Sequence, residues 1–137
     1  VKYRKGYKYQ VAVGAAETTF SLGLMLLGVE FDYMWARLDK GGTLHIAPGY
    51  AWDGPSGPTR DTPASIWASL CHDALYQAMR QGLVPKSYRW EADRLFYEHL
   101  VKAGMWRWRA KLWYWAVRRF GAKSAQPRSS RPILEAP

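Results

Sequence analysis

The chain holds one cysteine, Cys71, among its 137 residues. No disulfide can close within it, and a zinc site built from several cysteines is excluded. Acidic side chains are also scarce: 11 Asp and Glu stand against 20 Lys and Arg, a formal net charge of +9. That excess suits an anionic partner such as nucleic acid, a phospholipid surface or an acidic protein, and it also serves plain solubility. Long apolar runs are missing too. The stretch from Val11 to Val29 comes nearest, but Glu17, Thr18, Thr19 and repeated Gly suit it poorly to a bilayer. No signal-peptide pattern is visible, so the expected location is the cytoplasm of a cell or a particle assembled there. What the chain does have is aromatic bulk, with eight Trp and nine Tyr. Such numbers favour a packed core or a surface that meets something amphipathic.

Read in order, Tyr3, Tyr7, Tyr9, Val11 and Val13 alternate with polar residues and read as a strand. Gly14 to Gly28 is compatible with buried strand or short helix. Phe31, Tyr33 and Trp35 alternate again, Asp39-Lys40-Gly41-Gly42 reads as a turn, and Leu44 and Ile46 resume the pattern, which predicts a hairpin. Pro48 to Pro63 is dense in Gly and Pro and reads as a long loop, a form usually kept for function. Thr62 is placed to cap a helix with Pro63 at its first position, running to about Arg80 and stopping at Gly82. Ser87 is placed to cap a second helix ending at Gly104, with Trp90, Asp93, Tyr97 and Leu100 on one stripe. A third helix spans Trp106 to Phe120. Its expected apolar stripe is Trp106, Ala110, Trp113, Val117 and Phe120, with Arg107, Lys111 and Arg118 opposite. The resulting fold class is α+β: an N-terminal antiparallel hairpin or small sheet, a long Gly/Pro loop, then three helices. Residues 1–121 are expected to form one domain and 122–137 a disordered basic tail rich in Pro and Ser.

Three polar residues stand on these core-forming helices. His72 and Asp73 are adjacent on the first, and Asp93 lies on the second. Neighbours on a helix point about 100° apart, so His72 and Asp73 serve different points rather than each other. His72 has a reference pKa suited to a general base acting on water. Asp73 is an oxygen donor for a hard cation. A crossing second helix would bring Asp93 to the far nitrogen of His72, fixing its tautomer, and Tyr76, one turn on from His72, joins the same group. The loop, through Asp53 and the backbone at Gly54, would add oxygens to the cation. The alternative is a buried His-Asp-Tyr network that only locks two helices together. The third helix raises a second pair of readings. Trp106, Trp108, Trp113 and Trp115 interleave with Arg and Lys, which suits lipid headgroups and, as a weaker fit, nucleic-acid phosphates; a packed helix with a solvated basic face is the plain reading. His45 and His99 are isolated and read as locally satisfied. His45 would enter a site only as the first ligand of a metal-dependent phosphohydrolase.

Several ordered blocks carry a resemblance. They are Ile46 to Ser56, the Ala68 to Tyr76 segment with its His-Asp-x-x-Tyr core, Ala92-Asp93-Arg94-Leu95-Phe96-Tyr97, and Ala103 to Ala110 with Tyr114 to Arg118. Together the chain resembles the phage and prophage family termed domain of unknown function 1353. A remoter resemblance is to phospholipases A2, in which a Gly-rich calcium loop precedes a helix with His-Asp-x-x-Tyr and a second with Ala-Asp-x-x-Phe. That resemblance implies His72 as base, Asp73 as a Ca²⁺ ligand and Asp93 as the residue orienting His72. Two expectations follow. One is a phage-encoded, metal-assisted hydrolase of lipid or envelope esters. The other is a non-catalytic virion component or host-interaction protein, in which the His-Asp…Asp group is structural and the basic, Trp-rich helix 106–120 makes the contact.

Overall fold

The computed structural model describes residues 9–11, 17–23, 29–52 and 62–122. These fall into two compact units, one within residues 1–54 and one within 55–130. The expected tail beyond residue 122 and the loop residues Asp53 and Gly54 lie outside the described residues.

The first unit is antiparallel β. Strands β2 (Thr18–Ser21), β3 (Phe31–Tyr33), β4 (Ala36–Leu38) and β5 (Thr43–Ile46) form a sheet in the order β2-β5-β4-β3. Alternation explains the register. Phe20, Leu44, Leu38 and Phe31 lie in one row across the four strands, and all four are buried. The row on the opposite face is Thr19, His45, Arg37 and Asp32, all polar. A one-residue slip would exchange these rows, so burial fixes the pairing. The expected hairpin is a double one. Asp39 to Gly42 turns β4 into β5, with the Asp39 carboxylate accepting from the Gly41 and Thr43 amides. Met34 and Trp35, strand residues by their alternation, form a second tight turn between β3 and β4. The aromatic alternation ran through that turn without a Gly or Asn to mark it. Gly42 carries a φ of 86°, and a Cβ there would stand 2.9 Å from the Gly23 carbonyl oxygen, so the turn requires glycine. The expected loop at 48–63 also yields regular structure. Its Ala51–Trp52 segment, β6, pairs antiparallel with β1, Tyr9–Gln10.

On the polar face, His45 sits between two carboxylates. Its Nδ1 is 2.8 Å from Glu17 and its Nε2 is 3.0 Å from Asp39. Asp39 first and Glu17 second hold the imidazole above its ordinary pKa. With both nitrogens engaged, His45 offers no lone pair to a metal.

The second unit is helical. Helix α1 spans Pro63–Arg80, α2 spans Arg89–Lys102 and α3 spans Arg107–Phe120. The Thr62 side chain accepts from the Ser65 amide while the Ser65 hydroxyl receives the Thr62 amide, a closed capping box. Ser87 is not the cap of α2. It lies inside a short 3₁₀ turn, Lys86–Tyr88, and α2 begins without a side-chain cap. Ala68, Phe96, Leu100, Met105, Ala110 and Trp113 make the helical core. Trp106 and Phe120, expected in the apolar stripe of α3, are exposed instead, at 71% and 75%. Only the middle of that stripe, Ala110 and Trp113 with Val117 partly buried beside them, packs into the core. Among the described residues, no helix is long and apolar enough to cross a membrane.

Replacing Thr62 with Ala removes an acceptor from the first turn of α1. We expect a loss of about 1 kcal/mol in unfolding free energy, with an unchanged m-value in urea denaturation.

Candidate functional site

Asp93 is fully buried in the helical unit. A carboxylate in such a position persists only if its oxygens are satisfied. Oδ1 accepts from His72 Nε2 at 2.7 Å and from the Tyr76 hydroxyl at 2.6 Å. Oδ2 accepts from Arg118 at 2.9 Å, with Arg89 Nε 3.8 Å away. Three helices therefore converge on one carboxylate: α1 through His72 and Tyr76, α2 through Arg89, and α3 through Arg118. Two cations around it let Asp93 stay ionised.

The supports are themselves supported. Arg89 donates from Nε to the Tyr76 hydroxyl at 3.0 Å and from its terminal nitrogen to the carbonyls of Val117 and Arg118 at 2.8 and 2.6 Å. The Val117 carbonyl also accepts from the Gly121 amide at 2.9 Å, whereas the Arg118 carbonyl lies in the last turn, where helical partners run out, so Arg89 caps α3 while it fixes Tyr76. Gly121 closes the same corner: a Cβ there would stand 2.8 Å from the Tyr76 hydroxyl. The His72 ring is held between Tyr76 and Phe96, with centroids 4.2 and 4.8 Å away.

This geometry selects the His72 tautomer. An ionised carboxylate only accepts, so Nε2 carries the proton toward Asp93, and Nδ1 of the neutral ring keeps its lone pair. Asp73 lies on the Nδ1 side, 3.7 Å away, with a side chain about one-third exposed (30%). Adjacent helical positions thus come closer than the sequence suggests, because the Asp73 carboxylate turns back toward the ring. At that distance Asp73 acts chiefly as a charge. Burial disfavours the charged imidazole, but Asp73 and Asp93 outweigh it and hold His72 above the ordinary histidine pKa. For Asp93, burial likewise opposes ionisation, and the hydrogen bonds from His72, Tyr76 and Arg118 outweigh it and hold the carboxyl below its usual range. Tyr76 is pushed up, by burial first and by Asp93 second, and stays a protonated donor.

The structure thus brings His72, Asp93, Tyr76 and Asp73 together. Arg89 and Arg118 were missed by sequence reasoning. Arg89 stands four residues before Asp93 on a helix, a spacing that signals an ion pair. Arg118 gives no such signal, since helical spacing puts it on the basic, solvated face of α3. His99 is no second base of this kind. It packs edge-on against Trp67 at 5.1 Å, and burial with nearby Lys102 pushes its pKa down to about 4. Buried Cys71 is likewise pushed up by burial, away from the reactive thiolate. Among the described residues, no three His, Cys, Asp or Glu side chains group closely enough to hold a metal ion. Both Asp93 oxygens are engaged, and Asp73 alone does not make a calcium site. The residues expected to complete one, Asp53 and Gly54, lie outside the described residues.

A family profile described as "Protein of unknown function (DUF1353)" matches residues 29–117. No curated protein and no solved structure matches the chain.

The network sets a pH window for stability. Asp93, with its lowered pKa, contributes above the unfolded carboxyl value of about 4 and loses that contribution as pH falls through its folded value. His72, with its raised pKa, contributes below about 6.5 and loses it as pH rises through its folded value. Arg118→Met should cost about 3 kcal/mol at neutral pH and move the acid limb of unfolding upward, since Asp93 loses the cation hydrogen-bonded to its Oδ2. Urea titrations across pH check both; a variant with an unmoved acid limb would contradict the assignment.

Proposed function

From a chain that belongs to the DUF1353 family, whose description assigns no chemistry, we propose a phage-encoded hydrolase of lipid or envelope esters in which His72 is the general base. The observation that carries this reading is the His72–Asp93 pair. Nε2 is bound at 2.7 Å to a fully buried, positively supported carboxylate, which leaves Nδ1 as the basic atom. A dyad so oriented removes a proton from water while the water oxygen attacks an ester carbonyl carbon. The imidazolium that forms is stabilised through Nε2–H by Asp93 and through space by Asp73. When the tetrahedral intermediate collapses, the leaving alkoxide takes the proton back from Nδ1, and acid and alcohol are the products. Tyr76, Arg89 and Arg118 act through Asp93 and are positioning residues, not participants.

Calcium belongs to this proposal as an addition. Asp73 would supply one oxygen, with Asp53 and the Gly54 backbone as the further donors read from the sequence, and the step above runs without it. A bound cation would add Lewis-acid polarisation of the ester carbonyl. A second reading, a virion or host-interaction protein with a purely structural network, is favoured by one observation: Asp93 is saturated by partners from all three helices.

The two readings separate in a phospholipid-ester hydrolysis assay. In the hydrolase, His72→Gln lowers the rate by at least about a hundredfold. The wild-type rate rises with pH through the raised pKa of His72, since only the neutral ring accepts a proton, while stability falls over the same range. Asp73→Asn retains the fold and lowers that pH midpoint, because a charge favouring the imidazolium is gone. If calcium binds, it raises the melting temperature of wild type and not of Asp73→Asn. An ester-hydrolysing rate unchanged in His72→Gln contradicts the proposal; no hydrolysis together with a collapsed fold in His72→Gln supports the structural reading.

A further inference from the structure

Among the described residues, the outer face of α3 is exposed rather than packed against the other helices. At 100° per residue, Trp108, Leu112, Trp115 and Arg119 share the side opposite the buried Ala110 and Trp113. Trp108 is 60% exposed, Leu112 44% and Trp115 64%. Exposed tryptophans are costly to leave in water, and two of them about two turns apart around a leucine form an apolar strip. Arg107 and Lys111 are exposed beside the strip, Arg119 is exposed at its C-terminal end, and α3 contains no Asp or Glu.

We propose that this face docks on an anionic phospholipid bilayer, with α3 lying in the plane of the interface. The chemistry matches at both levels. Indole rings partition to the boundary between headgroup and acyl chain, where an apolar ring and a polar N–H are both accommodated. Lys and Arg along the margins extend their stems over the apolar layer and place their charges among the phosphates. One-signed charge argues for a surface of one opposite sign. Nucleic acid fits less well: a duplex groove is read by polar side chains, whereas this face is Trp-Leu-Trp over its first two turns, with cations beside it and at its C-terminal end. The inference goes beyond the hydrolytic reading and does not need it, since a non-catalytic protein could dock in the same way.

The test uses the full chain and vesicles of phosphatidylcholine alone or with phosphatidylglycerol, followed by sedimentation and tryptophan fluorescence. We expect binding at least about tenfold tighter to the anionic vesicles, a blue shift of the emission, and weakening with salt. The double variant Trp108→Ala/Trp115→Ala should lose at least about tenfold in affinity at an unchanged melting temperature. Lys111→Gln/Arg119→Gln should lose the preference for anionic over neutral vesicles. The proposal is overturned by equal or absent binding to both vesicles, by affinity unaltered in the Trp variant, or by tight binding to duplex DNA in place of vesicles. Hydrolysis is read separately on monomeric ester, so a failed docking test leaves the His72 result standing, and the reverse.

Discussion

A carboxylate with no access to water governs the helical unit. Asp93 is buried on α2, and a lone ionised acid there would cost several kcal/mol. The fold meets that cost by drawing partners from every helix: hydrogen bonds from His72 and Tyr76 on α1 and from Arg118 on α3, and the Arg89 charge from its own helix. The requirement runs outward from there. Arg89 must hold Tyr76 and also cap α3, so the end of α3 is fixed relative to Asp93. Gly121 must stay small because Tyr76 fills the space beside it. Apolar packing of Phe96, Leu100 and Trp113 supplies most of the driving force, but the polar network specifies which turn of each helix meets which.

The same network sets the chemistry. An anchoring acceptor on Nε2 decides which nitrogen of His72 keeps a lone pair, and the two carboxylates flanking the ring decide how readily it takes a proton. Stability and basicity are therefore linked. Protonation of His72 tightens the network, so the form best suited to removing a proton is the form that holds the helices less firmly. Helix α3 joins two roles. Arg118, near its end, turns inward to Asp93, while Trp108 and Trp115 face away from the core.

Much of this was legible in the sequence where local chemistry decides. Thr62-Pro63, the stops at Gly82 and Gly104 and the Asp39–Gly42 turn each write their conformation in one or two residues, and the structure keeps all of them. His72, Asp73, Tyr76 and Asp93 were visible as polar groups on apolar helices. The losses came where long-range geometry decides. The Met34–Trp35 turn carries no turn residue, and only the pairing of Asp32 with Arg37 and Phe31 with Leu38 reveals it. Ser87 looked like a cap, yet the chain enters α2 through a 3₁₀ turn. Arg118 was read as solvated because helical periodicity shows which side of α3 it occupies, not that Asp93 stands within reach. Trp106 and Phe120 fit an apolar period, but their side chains are exposed and only Ala110 and Trp113 of that stripe are buried.

Asp93 sets the orientation and basicity of His72, and the imidazole nitrogens report both directly. Nitrogen-15 NMR of histidine-labelled protein, titrated through neutral pH, gives both the tautomer and the pKa of His72. The structure predicts that the neutral ring carries its proton on Nε2, that the pKa lies above the ordinary value of about 6.5, and that it falls in Asp93→Asn. A neutral ring protonated on Nδ1, or a pKa below the ordinary value, would contradict it.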